Sequence, residues 1–257
     1  MDLVEYTIRD RIGYITLNRP EKRNALNQEL VRAISTAFEK AAANDAVKII
    51  VLKANGDAFC AGADLAYLQQ LQAFSFEENL QDSRSLKELF YRIYTLPKIV
   101  IGQVEGPALA GGCGLVTVCD FVWAVPEAKF GYTEVKIGFV PAIVMTFLLR
   151  KIGEAKSKEL LLTGKIITSE EAAKIGIVTS VVEKGKIESE VERFAQKLIS
   201  ETSAQSIAVT KRVINEVQNQ KLKEALESAA LENAIARDTD DCRKGIDAFL
   251  HKRELKW

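Results

Sequence analysis

Twice along this chain an apolar run gives way to a turn of small residues and then to helical spacing. Residues 47–52 lead through Phe59-Cys60-Ala61-Gly62-Ala63-Asp64-Leu65, and residues 99–104 through Glu105-Gly106-Pro107-Ala108-Leu109-Ala110-Gly111-Gly112-Cys113-Gly114-Leu115. Both runs read as buried strands. A strand-to-helix junction of small residues leaves free backbone N–H groups pointing forward, where the main chain can approach a ligand closely. Two such junctions can aim one N–H each at the same oxygen, the arrangement that stabilises an oxyanion. Taken singly, each is equally the pattern of a tight turn with a helix cap, Asp64 being the cap of the first. A phosphate cradle is disfavoured, because Gly111-Gly112-Cys113-Gly114 lacks the Gly-Lys-Ser/Thr ending of a P-loop and the spacing of a dinucleotide fingerprint.

The remaining pattern predicts an α/β chain. Alternation over residues 3–8 and 12–17, with Gly13 beside the turn, marks a hairpin, and Asn27 caps a helix carrying Leu30, Ile34, Ala37 and Phe38 at helical spacing. Helices are expected over 65–71 and 76–95, stopping before Pro97, then a short helix at 110–118 and strands at 121–125 and 128–131. Thr168 and Glu171 form a capping box for a helix that Gly176 ends, ahead of a last strand at 177–182. Segments 187–200, 204–218, 220–236 and 239–250 are purely helical. The division is a strand-and-helix core over 1–198 and a helical region over 199–257, with no low-complexity linker, so the latter packs on something.

Composition removes several chemistries. Thirty-five Lys+Arg balance thirty-five Asp+Glu, giving no basic stripe for nucleic acid or acidic membranes. Cys60, Cys113, Cys119 and Cys242 form no CxxC pair, and one histidine, His251, leaves a transition-metal site short of ligands, so no metal is expected. The same scarcity removes Ser-His-Asp and Cys-His catalysis, making a carboxylate the expected proton carrier. No apolar run approaches the roughly 20 residues that span a bilayer, and the first residues lack a signal-peptide pattern, so the chain reads as cytoplasmic.

Glu134 lies in the apolar stretch Phe130-Gly131-Tyr132-Thr133-Glu134-Val135-Lys136-Ile137-Gly138-Phe139-Val140-Pro141. A carboxylate there is either paired, with Lys136 or Arg150, or has a raised pKa suited to shuttling protons. Arg84, Lys87 and Arg92 share the 76–95 helix, where they form a solvated face or meet a substrate carboxylate.

Taken in order, Asn18-Arg19-Pro20-Glu21-Lys22-Arg23-Asn24-Ala25-Leu26, the two small-residue junctions, Cys119-Asp120, Phe130-Gly131-Tyr132-Thr133-Glu134, Lys136-Ile137-Gly138 and Ala248-Phe249-Leu250-His251-Lys252-Arg253 resemble the enoyl-CoA hydratase/isomerase (crotonase) superfamily along essentially the whole chain. The resemblance implies a spiral of β-β-α units followed by C-terminal helices that trimerise, commonly as a dimer of trimers, and an acyl-CoA substrate whose coenzyme A makes a separate cofactor unnecessary. It implies that the N–H groups of Ala63 and Gly111 bind the thioester oxygen and that Glu134 is the acid/base. Lys22, Arg23, Ala25, Ala61, Asp64 and Leu65 would line the coenzyme A passage, Gly114 and Tyr132 would meet the substrate, and Phe249 and Lys252 would reach the nucleotide of a neighbouring subunit. A plain amphipathic terminal helix accounts for Phe249 and Lys252 equally.

One departure divides the functional expectation. Hydratases of the family carry a second glutamate where this chain has Gly114, so Glu134 is the one matching carboxylate. Hydration survives if Glu134 holds the water with help from backbone or Tyr132, and residues 110–114 and 140–144 resemble methylglutaconyl-CoA hydratase-like members. Δ3,Δ2-Enoyl-CoA isomerisation needs no water and is the alternative. A non-catalytic acyl-CoA or RNA binder is a third, disfavoured by the retained Glu134 and by neutral net charge.

Overall fold

The computed structural model describes residues 2–257. β1 (Val4–Arg9) and β2 (Ile12–Leu17) form an antiparallel hairpin closed by Asp10 and Arg11, whose φ values of 49° and 65° give the turn a twist matching the strands. In α1 (Gln28–Ala43) the Asn27 side chain accepts the Leu30 N–H at 2.9 Å, and Leu30, Ile34, Ala37 and Phe38 are buried, as their spacing predicts.

Chain order then gives β3 (Ile49–Ala54), α2 (Leu65–Leu71), α3 (Phe76–Thr95), β4 (Ile99–Val104), β5 (Ala108–Leu109), α4 (Gly111–Thr117), β6 (Phe121–Ala124), β7 (Lys129–Gly131), α5 (Ala142–Thr163), β8 (Ile166–Thr168), α6 (Ser169–Lys174) and β9 (Ser180–Val181). The larger sheet runs β1-β2-β3-β4-β6-β9 and is parallel from β2 onward. β2 and β4 are buried along their whole length, as in a sheet covered on both faces. A smaller sheet, β5-β7-β8, is flanked by isolated parallel bridges, Cys60 to Ala108 and Leu26 to Ala63. The runs β4-β5-α4 and β6-β7-α5 each give a long strand to one sheet, a short one to the other, and a helix.

The capping box of Thr168 and Glu171 forms, and Gly176 follows α6 at φ 89°. α5 is broken at Gly153 (φ 75°), and neither it nor the short strands β5 and β8 is anticipated by periodicity.

α7 (Ile187–Glu201) belongs to the core. It buries Ile187, Val191, Ala195 and Ile199, and its Phe194 ring lies 4.5 Å from that of Trp123, centroid to centroid. Extended backbone at Thr202–Ser203 separates it from the helix that follows. Beyond it, α8 (Ala204–Val217) and α9 (Leu222–Arg237) bury no residue, and α10 (Asp240–Leu250) buries Ala248. Lys211 fastens α8 to the core, donating to Asp120 Oδ2 at 2.6 Å and to the Lys98 carbonyl at 2.8 Å. No helix among the described residues is long and apolar enough to cross a membrane.

Candidate active site

Four strips of backbone lie side by side. Ala61 donates to the Arg23 carbonyl at 3.0 Å, Leu26 to Gly62 at 2.7 Å and Asp64 to Leu26 at 2.9 Å. Cys60 in turn donates to Pro107 at 3.1 Å, Leu109 to Cys60 at 3.0 Å, and Ala110 to Gly131 at 2.8 Å. The second and third strips touch: a Cβ on Gly62, whose φ is +97°, would stand 2.9 Å from Ala110 Cβ. Only glycine fits that conformation and that gap.

This stitching uses the amides of Cys60, Ala61, Asp64, Leu109 and Ala110, whereas those of Ala63 and Gly111, like those of Gly62 and Gly112, donate to no acceptor among the described residues. In the bridge to Leu26 the ladder bonds use the residues on either side of Ala63, so its own N–H faces away from that partner. Gly111 opens α4, where an N–H has no partner within the helix. Ala63 is exposed and Gly111 half-buried.

Glu134 opens a short 3-10 turn, Glu134–Ile137, that Gly138 ends in the left-handed region at φ 75°. The residue is 9% exposed, forms no ion pair among the described residues, and its Oε2 is buried without a hydrogen-bond partner. Burial pushes its carboxyl above the ordinary range, against the opposing pull of its own backbone N–H. Neither sequence candidate for an ion pair reaches it: Arg150 donates to the Thr146 carbonyl and to Asn219, and Lys136 makes no ion pair among the described residues.

Asp64 has the opposite surroundings. At 7% exposure its carboxylate caps α2 through the N–H groups of Ala66 and Tyr67 and lies 2.7 Å from Arg19 Nη1. Burial opposes its charge, but the Arg19 guanidinium and the two amides outweigh it and hold the carboxyl below the ordinary range. Arg19 also donates to the Ala25 carbonyl at 3.0 Å, so the segment around residues 18–26 is buckled to the first junction. Nothing in the local sequence pattern pairs residues 19 and 64; the distant chain segments meet only through the fold.

The other candidate residues have varied surroundings. At Gly114 a Cβ would stand 2.4 Å from Val144 Cγ1 and 3.1 Å from Phe90 Cζ, so hydrocarbon fills the space next to it. Tyr132 is fully buried, with its hydroxyl 2.5 Å from that of Thr117. The Ala25 side chain is buried, and that of Asp64 is engaged as above. Lys22, Arg23 and Leu65 are exposed and Ala61 is half-buried beside them. Phe249 and Lys252 are exposed at the far end of α10. Arg84 is exposed, while Lys87 and Arg92 pair with Glu88 and Glu39, as on a solvated face. Among the described residues no cluster of His, Cys, Asp and Glu is suited to a metal ion.

A sequence profile of the family described as enoyl-CoA hydratase/isomerase matches residues 7–257. The chain belongs to the enoyl-CoA hydratase/isomerase family. Within this family it is similar to a Thermus thermophilus protein with a provisional enoyl-CoA hydratase name, at 40% identity over 242 residues covering 94% of this chain and 95% of that one. A crotonyl-CoA hydratase of Syntrophomonas wolfei is 33% identical over 250 residues, covering 96% and 95%. The solved structure of an enoyl-CoA hydratase from Mycobacterium smegmatis matches with a TM-score of 0.92 at 29% identity over 99% of this chain and 98% of that one. The two-sheet architecture is accordingly the crotonase fold.

Proposed function

We propose that this member of the family hydrates 2-enoyl-CoA thioesters with one side-chain acid/base, Glu134. The observation that carries the reading is a buried carboxylate with an unsatisfied oxygen and a raised pKa, in a segment whose Gly131 carbonyl accepts the Ala110 N–H just before a helix whose first N–H is free. The amides of Ala63 and Gly111 converge on the thioester oxygen. Glu134 takes a proton from water as the new C–O bond forms at C3, the double-bond electrons move toward the thioester oxygen, and the proton is then delivered to C2. The enolate charge exists only along the reaction path, so fixed donors aimed at it lower the barrier rather than merely tightening binding. The hydratase names of relatives support this reaction class. Lys22, Arg23, Ala61 and Leu65 form the approach for coenzyme A.

A second reading rests on Gly114. With Val144 and Phe90 closing the space beside it, no second carboxylate grips a water, and one carboxylate suffices to carry a proton from C2 to C4 in Δ3,Δ2-isomerisation. A panel of 2-enoyl-, 3-enoyl- and methylglutaconyl-CoA in 18O-water separates the two. Labelled hydroxyacyl product supports hydration and names the acyl group; a migrated double bond without label overturns it in favour of isomerisation.

Assembly is part of the proposal. α8 and α9 enclose a groove of about 400 Å3 lined by Val209, Val213, Ile214 and Ile235, and Leu222, Leu226, Leu231, Phe249 and Leu250 are exposed. These faces pack in a homotrimer or a dimer of trimers, which carries Phe249 and Lys252 toward a neighbour's nucleotide. Sedimentation at micromolar concentration tests this; a monomer there refutes it.

A further inference from the structure

Helix α4 supplies the Gly111 donor, yet its sequence does little to hold it. Three of its seven residues, Gly111, Gly112 and Gly114, are glycine, and Val116 and Thr117 are β-branched, so propensity alone gives a poor helix. Its geometry is imposed from outside. At its far end the Lys151 ammonium donates to the Thr117 carbonyl at 3.1 Å and the Cys119 carbonyl at 2.7 Å. Lys151 makes no ion pair among the described residues, and Asp120, the carboxylate nearest in sequence to those carbonyls, is held by Lys211 at 2.6 Å. A cation on terminal carbonyls opposes the negative end of the helix dipole and fixes the helix along its axis. The same contact recurs away from the site. Lys98 donates to the Ala41 and Asn44 carbonyls at the end of α1, and Lys48 to those of Ile199 and Thr202 at the end of α7.

We propose that Lys151 is a positioning residue for the reaction: by gripping the C-terminal end of α4 it holds the Gly111 N–H at the thioester oxygen and adds a positive charge behind that donor. This rests on the reading of Ala63 and Gly111 as the oxyanion donors. It goes beyond helix capping, because the analogous Lys98 caps a helix that supplies no donor and therefore serves as an internal control.

The experiment compares wild type, Lys151→Met and Lys98→Met by difference infrared spectroscopy of bound [1-13C]butanoyl-CoA, whose carbonyl stretch reports polarisation by the donors, and by steady-state kinetics with crotonoyl-CoA. Wild-type binding should move the stretch to lower frequency. Lys151→Met should lose at least half of that shift and about tenfold in kcat, less than deletion of a whole donor costs, with KM within about threefold. Lys98→Met should retain both the shift and kcat, even where its melting temperature falls as far. A wild-type shift and kcat in Lys151→Met would overturn the proposal. Should that variant not fold, Lys151→Gln, which keeps one donor without the charge, is measured instead: a reduced shift supports the proposal and an unreduced one overturns it. Absence of any carbonyl shift in the wild type would remove the oxyanion reading itself, and Lys151's role with it, which distinguishes the two failures.

Discussion

Asp64 and Glu134 are almost equally enclosed, 7% and 9% exposed, and differ in almost everything else. Asp64 is bound by Arg19 and two helix amides, which keep it ionised. Glu134 has neither a cation nor a partner for Oε2, and burial raises its pKa. Equal enclosure therefore gives a partnered carboxylate held low in one region and an unpartnered one pushed up in the other. The deciding quantity is how many partners the fold aims at the charge.

Replacing each carboxylate should separate these roles. Glu134→Gln should lower kcat by about 10²- to 10⁴-fold, the range for a general acid/base, while acyl-CoA binding by calorimetry stays within a few-fold. Near-wild-type turnover would end the comparison. Gly111→Pro deletes the free N–H at a first helical position, where proline is tolerated, and should cost about 10²- to 10³-fold in kcat with the circular dichroism spectrum retained. Asp64→Ala should instead show in urea denaturation, as a loss of about 3–5 kcal/mol from leaving Arg19 without its buried partner. The low-pH limb of its activity profile should stay where it is in the wild type.

Smaller effects sharpen the contrast. Gly114→Ala forces a Cβ to 2.4 Å from Val144 Cγ1 and should destabilise by about 1–3 kcal/mol in the same denaturation experiment, with most of that recovered on adding Val144→Ala. The pH dependence has a definite sign. Glu134 must be ionised to accept a proton, so kcat/KM should rise with pH through a pKa above the ordinary 4.5. Because the folded state raises that pKa, the contribution of Glu134 to folding is fully favourable below about 4.5 and is lost as pH climbs through the raised value. Glu134→Gln should consequently raise the melting temperature at neutral pH, with the gain vanishing below pH 4.5.

Much of this was readable from local pattern where local physics decides. The hairpin of the first two strands, the Asn27 cap, the box of Thr168 and Glu171 and the small-residue junctions all follow from residues within a few positions of one another. Asp64 as a helix cap belongs to the same class. The two-residue strand β5 carries too few residues for a period, and the break at Gly153 interrupts the apolar spacing of α5. The Arg19–Asp64 pair, the burial of Tyr132 against Thr117 and the Val144 wall at Gly114 depend on long-range packing, which no spacing rule conveys. The family resemblance placed Glu134 in the site, but its freedom from Lys136 and Arg150 is visible only in three dimensions.

Proton exchange at C2 of a saturated thioester tests the joint action of the three groups most directly, since it needs enolate stabilisation and the base but neither water addition nor double-bond migration. With butanoyl-CoA in deuterated buffer, the wild-type protein should wash deuterium into C2, and Glu134→Gln and Gly111→Pro should each suppress it by at least about a hundredfold. Exchange at the wild-type rate in either variant would contradict a site built from two amides and one unpartnered carboxylate.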